Sequence, residues 1–97
     1  MTWIREPEKE KKFIKRYWTN KNHSHIYVTI EKYENQAHNR SPGNIPRFSI
    51  TLNMGYREHD ISVMDIKQNI RDRAHAIKTA EKWIKNNPLI TPPSEHL

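Results

Sequence analysis

The chain has 97 residues, of which 34% are hydrophobic, and its 17 Lys and Arg outnumber its 11 Asp and Glu to give a net charge of +6. That length supports a single domain, and a charge of that sign attracts polyanions such as nucleic acids. The absence of Cys excludes disulfides, thiol nucleophiles and thiolate metal sites.

The first predicted element is an amphipathic helix from about Pro7 to Trp18. Proline suits a first helical position, because its missing N–H would be unpaired there in any case. Phe13, Ile14, Tyr17 and Trp18 fall at spacings that form one apolar stripe on a helix. Residues 19–22 are then expected to form the turn that leaves it.

Two β-strands are predicted next, at residues 25–33 and 47–54, because apolar and polar residues alternate there with a period of two. A polar loop at 35–46 separates them, and a short third strand is expected around 58–63. The side chains predicted to face the core are Ile26, Val28, Ile30, Phe48, Ile50, Leu52 and Met54.

The last predicted element is a long helix that begins near Ser62 and Asp65, which resemble a capping box, and ends before Pro88. Its apolar residues fill one half of a helical wheel: Ile66, Ile70, Ala74, Ala76, Ile77, Ala80, Trp83 and Ile84. The predicted fold is α+β: a small antiparallel sheet of two to three strands with an N-terminal and a long C-terminal helix packed on one face. Residues 1–87 form this single domain, and 88–97 are expected to be a flexible tail.

Basic residues are grouped on the side of the long predicted helix that is opposite its apolar half. We call this set the basic stripe, and its members are Lys67, Arg71, His75, Lys78, Lys82 and Lys85. As one helix it would extend for roughly 27 Å at 1.5 Å per residue, without an acidic residue in the same arc. Such a row of charge can follow a phosphate backbone, although a lysine-rich solvated helix face is the plainer interpretation.

The loop between the two strands adds Arg40 and Asn44, which could contact phosphates or ribose hydroxyls. On the side of the sheet that the helices leave open, the residues that could stack on bases or contact a protein partner are Tyr27, Tyr33, Arg47 and Asn53.

The predicted α-β-β-β-α order and the segment Ser41-Pro42-Gly43-Asn44-Ile45-Pro46-Arg47-Phe48 resemble the double-stranded RNA-binding domain. The run from Arg73 to Ile84 is similar to that family's alanine-rich second helix, so the resemblance covers about residues 40–87. It implies recognition of duplex shape and 2′-hydroxyls by the loop and by the start of the long helix. Asn44 departs from the family pattern, which has a loop histidine there, and only Arg73 matches the family's lysine cluster.

Catalytic signatures are not found in the sequence. The two glycines cannot form a Gly-rich phosphate loop, and His23 with His25, close enough to share a metal, are interpreted as surface residues. We therefore expect neither an enzyme nor a cofactor.

The leading hypothesis is a small cytoplasmic protein that binds the backbone of duplex nucleic acid, DNA or RNA, as a regulator or accessory factor of a phage or mobile element. The alternative is an inhibitor or adaptor that binds an acidic surface of a partner protein through the open sheet face or an edge strand. An unpaired edge near residues 58–63 could also pair with a second copy to form a homodimer. No membrane association is expected, because no run of about 18 apolar residues occurs and the charged N-terminus is unlike a secretory signal.

Overall fold

The structure, a computed structural model, describes residues 2–33, 47–56 and 59–88. Its strands are β1 Trp3–Arg5, β2 Ile14–Asn20, β3 Ile26–Tyr33, β4 Arg47–Tyr56 and β5 His59–Ile70, with a 3₁₀ turn at Pro7–Lys9 and one helix, α1, at Arg73–Asn86. The strands form one antiparallel sheet in the order β1-β2-β3-β4-β5. The chain is thus a single small α+β domain in which α1 covers one face of the sheet.

The core lies between α1 and the two central strands. Alternate residues of β3 point toward α1, and their partners across the strand pair do the same, as in the pair Val28 and Leu52. From α1, two alanines and an isoleucine are buried against them, and the small alanine side chains let the helix approach the sheet closely. The buried apolar side chains of the three elements are Ile26, Val28, Ile30, Phe48, Ile50, Leu52, Met54, Ala76, Ala80 and Ile84.

The predictions for β3 and β4 are confirmed, since every side chain assigned to their inner faces is buried. The fold class is nevertheless wrong in two respects. The sheet has five strands instead of two or three, and an N-terminal helix is absent from the described residues. The α-β-β-β-α order that accompanied the family resemblance is therefore not the order of this chain.

The N-terminal segment forms strands in which neighbouring aromatic residues lie on opposite faces of the sheet. Tyr17 pairs with Thr29 and Trp18 with Val28, so the rings point in opposite directions, and of the four residues of the predicted stripe only Trp18 is buried. Phe13 remains 57% exposed. Adjacent apolar residues are compatible with a helical stripe as well as with a strand. The segment forms a strand because it pairs with β3, which would otherwise have an open edge.

The long C-terminal helix is also wrong in its first half. Residues 59–70 form β5, which pairs along the whole length of β4, and α1 begins only after Asp72. The Asp72 side chain accepts a hydrogen bond from the Ala74 backbone N–H at 3.2 Å, which is the ordinary role of an N-cap residue. Ile66 and Ile70, four residues apart, had suggested a helix, but Ile70 is buried from the end of a strand.

Trp3 anchors the edge strand β1 to the end of α1. Its indole Nε1 donates a hydrogen bond to the carbonyl oxygen of Asn87 at 3.0 Å, and its ring packs edge-on against Trp83 at a centroid distance of 6.1 Å. The N-terminal and C-terminal ends of the described chain are thereby held together. Among the residues that the structure describes, no helix has the length and apolar character needed to cross a bilayer.

Candidate functional site

Four members of the basic stripe lie on the exposed side of α1. His75, Lys78, Lys82 and Lys85 are all exposed, and their spacing of three, four and three residues places them on one side of a helix. The opposite side carries the buried residues Ala76, Ala80 and Ile84. Packing of the helix on the sheet therefore turns these basic side chains to the solvent.

The other two members come from different elements than predicted. Lys67 lies on β5 and Arg71 lies in the connection between β5 and α1. Together with His75 they line a shallow concavity of about 410 Å³ beside the start of α1. Strand, connection and helix thus bring Lys67, Arg71 and His75 together, while the part of the stripe on α1, from His75 to Lys85, extends for about 15 Å.

No member of the stripe forms an ion pair within the described part of the chain, although Asp72 lines the same concavity as Lys67 and Arg71. All the ion pairs there belong to the N-terminal segment: Arg5 with Glu10 at 2.9 Å, Arg16 with Glu10 at 3.5 Å and Lys9 with Glu6 at 3.3 Å. The hydrogen bond from Arg5 holds the pKa of Glu10 below its usual value. Glu6 and Glu10 are thus engaged locally, whereas the stripe faces solvent.

The loop residues Arg40 and Asn44, which were predicted to extend this surface, lie outside the described residues. The same holds for the loop segment that carried the family resemblance, Ser41–Pro46.

The sheet face opposite α1 contains a second concavity, of about 490 Å³, which we call the sheet groove. Its lining residues come from β2, β3, β4 and β5, and the strand register places their side chains on the face away from the core. They are Ile14, Tyr17, Tyr27, Thr29, Glu31, Ser49, Thr51, Asn53, Asp60, Ser62 and Asp65.

Two tyrosines form one wall of the sheet groove. The rings of Tyr17 and Tyr27 stack with a centroid distance of 4.7 Å and an interplanar angle of 8°. Burial raises the pKa of Tyr17 to about 12, with smaller contributions from the negative charges of Glu6 and Asp60. Burial also raises the pKa of Tyr27, and its hydrogen bond with Asp60 raises it further.

Gly55 leaves the space that this arrangement needs. A Cβ atom at Gly55 would lie 3.2 Å from the Asp60 Oδ1 atom and 3.9 Å from the Tyr27 ring. A Cβ atom there would require the Asp60 carboxylate to move by a few tenths of an ångström.

The four residues predicted on the open sheet face divide into two groups. Tyr27 and Asn53 line the sheet groove, where the Asn53 Nδ2 atom donates a hydrogen bond to the Thr29 hydroxyl at 3.0 Å. Tyr33 and Arg47 pair with each other across β3 and β4, and both donate to the Oδ1 atom of Asn69, at 3.2 and 3.1 Å. Asn69 has a φ of 58°, a left-handed conformation that Asn tolerates better than most residues.

Sequence reasoning missed the acidic side of the sheet groove. Tyr17 was assigned to a helical core and Asp65 to a helix cap, so neither was placed beside Tyr27. Tyr17 and Thr19 flank Trp18, and Asp60 and Ser62 flank Ile61. This alternation of polar and apolar residues is typical of a strand and could have assigned Tyr17 and Asp60 to the open face of the sheet.

No group of three His, Asp or Glu side chains that could hold a metal ion occurs within residues 2–33, 47–56 and 59–88. Comparison with protein-family models, with curated proteins and with solved structures found no match to this chain. Functional assignment therefore depends on the two surfaces described above.

Proposed function

We propose that the protein binds the phosphate backbone of nucleic acid through the basic stripe. The observation that carries the proposal is the row of His75, Lys78, Lys82 and Lys85 along the exposed side of α1, without an ion-pair partner in the described residues. Lys67 and Arg71 continue this surface beyond the start of the helix.

The physical basis is counterion release. A cationic side chain that neutralises a phosphate frees condensed counterions, and this supplies affinity without reading base sequence. The α1 part of the stripe, about 15 Å long, matches four to five base pairs at about 3.4 Å each. Compensated side chains such as Arg5, Lys9 and Arg16 would contribute less, because an acidic neighbour already replaces the phosphate. The exposed lysines Lys11 and Lys12 form no ion pair among the described residues but do not belong to the row on α1, so they serve as the control.

The charges of the sheet groove favour the helix side over the sheet side as the nucleic-acid surface. Glu31, Asp60 and Asp65 line the groove and would repel phosphates that approached Tyr27. Stacking of single-stranded bases on this face would have to overcome that repulsion. The same acids make this face a poor match for the acidic partner protein of the alternative hypothesis.

The test is fluorescence anisotropy of labelled duplex DNA, duplex RNA and single strands titrated with the full chain. The variant Lys78→Glu/Lys82→Glu should lose at least tenfold in affinity, because two phosphate contacts become repulsive. The control is Lys11→Glu/Lys12→Glu, which changes the net charge equally at two exposed lysines of the N-terminal segment. It should lose less than threefold.

Equal losses in the two variants would show that only the net charge matters and would contradict a defined interface. Absence of binding to every nucleic acid below about 10⁻⁴ M at low salt, weaker than ordinary non-specific binding, would contradict the proposed function itself. Circular dichroism of both variants checks that they remain folded.

A further inference from the structure

The basic surface continues beyond the start of α1 to the end of β3 and β4. The concavity beside the start of α1, which three basic residues of the stripe share, is also lined by Asn69. The Asn69 Oδ1 atom accepts hydrogen bonds from the Tyr33 hydroxyl at 3.2 Å and from the Arg47 Nη1 atom at 3.1 Å. Through Asn69, an aromatic ring and a further guanidinium group therefore adjoin the basic residues of the concavity.

Tyr33 differs from the two tyrosines of the sheet groove. Tyr17 and Tyr27 cover each other, because their rings stack at 4.7 Å, and Asp60 forms a hydrogen bond with Tyr27. Tyr33 is only partly buried, and among the described residues no other ring and no cation is stacked on it. The hydrogen bond from its hydroxyl to Asn69 holds the ring in place, so a planar ligand can stack on it without reordering the side chain.

Arg47 supplies positive charge beside this ring. It pairs with Tyr33 across β3 and β4 and forms no ion pair with a described residue. Glu31, two residues earlier on the same face of β3, pairs with Ser49 instead. The Asp72 carboxylate, which also lines the concavity, is engaged as the N-cap of α1. A phosphate that follows a base onto the ring therefore has a guanidinium group as its neighbour.

The ring and the stripe lie on opposite sides of the sheet. Tyr33 follows Tyr27, Thr29 and Glu31 at alternate positions of β3, and these three line the groove on the face away from α1. Duplex DNA is too stiff to turn from α1 round the end of the sheet, because its persistence length is about 150 base pairs. A single strand is flexible enough to make this turn, past the concavity that joins the two sides.

We propose that the protein binds the junction between a duplex and a single-stranded extension. The duplex backbone lies along the basic stripe of α1, the extension passes over the concavity, and an unpaired base stacks on Tyr33. A positively charged path combined with an aromatic ring on which bases stack is the usual means of holding a single strand. This inference rests on the proposed function and names the form of nucleic acid that the same surface prefers.

The experiment compares a blunt DNA duplex with the same duplex carrying a thymidine extension of about six nucleotides, a length within the site sizes of single-strand binders. Extensions at the 3′ and the 5′ end are measured separately by anisotropy with the full chain. At least one of them should be bound fivefold or more tightly than the blunt duplex, because stacking adds to the backbone contacts.

Tyr33→Leu should abolish the preference for the extended duplex and change the affinity for the blunt duplex less than twofold. The matched control is Tyr33→Phe, which keeps the ring and should retain most of the preference. Equal losses on the blunt and the extended duplex would assign Tyr33 a purely structural role and overturn the proposal.

Arg47→Gln tests the charge beside the ring. It should weaken binding of the extended duplex at least threefold and of the blunt duplex less than twofold, because only the extension brings a phosphate to this position. The control is Lys21→Gln, which removes one charge at an exposed position in the turn before β3, at the end of that strand remote from Tyr33. It should leave the preference unchanged, and equal effects of the two variants on the preference would contradict the role of Arg47.

The two duplexes separate failure of this inference from failure of the proposed function. Equal affinities of the wild-type chain for both would overturn the junction and leave duplex binding by the stripe intact, whereas binding of neither would overturn both. If the thymidine strand alone binds as tightly as the extended duplex, the ligand is a single strand and the junction is wrong. Backbone amide NMR signals of Tyr33 and Asn69 should shift further with the extended than with the blunt duplex; identical shifts would contradict the proposal even if Tyr33→Leu did not fold.

Discussion

Tyr17 and Tyr27 lie on neighbouring strands with their rings parallel and 4.7 Å apart. They are diagonal neighbours, because Tyr17 pairs with Thr29 and Tyr27 pairs with Thr19. Stacking of this kind stabilises a strand pair beyond the area that the rings bury. The pair therefore joins β2 firmly to β3 and forms the aromatic wall of the sheet groove.

Alkaline pH should destabilise the protein through these tyrosines. The folded chain keeps the Tyr17 phenol protonated up to a pKa of about 12, while in the unfolded chain a tyrosine ionises near its ordinary value of about 10. The stabilising effect is thus complete below pH 10 and is lost as the pH rises toward 12, because the unfolded state then binds fewer protons. Urea unfolding between pH 8 and 11.5 should show a falling free energy of unfolding.

Tyr17→Phe is the variant that isolates this effect. It retains the ring but removes the ionisable group, so its free energy of unfolding should fall less steeply above pH 10 than that of the wild type. Identical slopes for the two proteins would contradict the role assigned to Tyr17.

Trp3→Ala should cost about 3–5 kcal/mol in the free energy of unfolding, the usual range for removing a buried tryptophan. Trp3 is 2% exposed, and its loss removes both the hydrogen bond to Asn87 and the contact with Trp83. The control is Ile4→Ala in the same strand, where the side chain is 49% exposed and a change of about 0.5 kcal/mol or less is expected. Urea denaturation measures both, and similar values for the two variants would show that β1 is not anchored through Trp3.

Asn69 should tolerate glycine better than alanine. Glycine adopts a φ of 58° without steric cost. Alanine in the left-handed region has a conformational free energy that is about 1–2 kcal/mol less favourable. Both substitutions remove the acceptor for Tyr33 and Arg47, so their difference reports the backbone alone. Thermal unfolding should place Asn69→Gly above Asn69→Ala in midpoint temperature; the reverse order would contradict the left-handed conformation.

The sequence predicted β3 and β4 correctly because their β-branched and apolar residues alternate without interruption. It failed at β2 and at the second half of β5, whose first residues do fall in the strand expected around 58–63. The reason is shared: Tyr17 with Trp18, and Ile66 with Ile70, fit a helical period as well as their actual strand positions. In β5 the pairing with β4 shifts register at several points, and such irregularities interrupt the alternation that identifies a strand. Both segments form strands because they pair with neighbouring strands, and a single sequence does not show this pairing.

The basic stripe was predicted from an incorrect element but includes residues that do lie together. Lys78, Lys82 and Lys85 belong to the part of the predicted helix that exists, so their shared face follows from the helical period alone. Lys67 and Arg71 join the surface for another reason, since the end of β5 leads directly into α1. The alternation in β2 and β5 could have assigned single residues to the open face, but the assembly of the acidic groove also depends on which strand neighbours which.

The central claim, that phosphate contacts are made by the basic stripe, is tested most directly by the salt dependence of binding. The logarithm of the affinity for duplex DNA should fall linearly with the logarithm of salt concentration, with a slope of about −0.9 per phosphate neutralised. Replacing Lys78 and Lys82 by glutamine should make that slope less steep by about 1.8, twice the value for one contact, whereas replacing Lys11 and Lys12 by glutamine should leave it unchanged. A slope that both pairs of substitutions alter equally, or that neither alters, would contradict the claim.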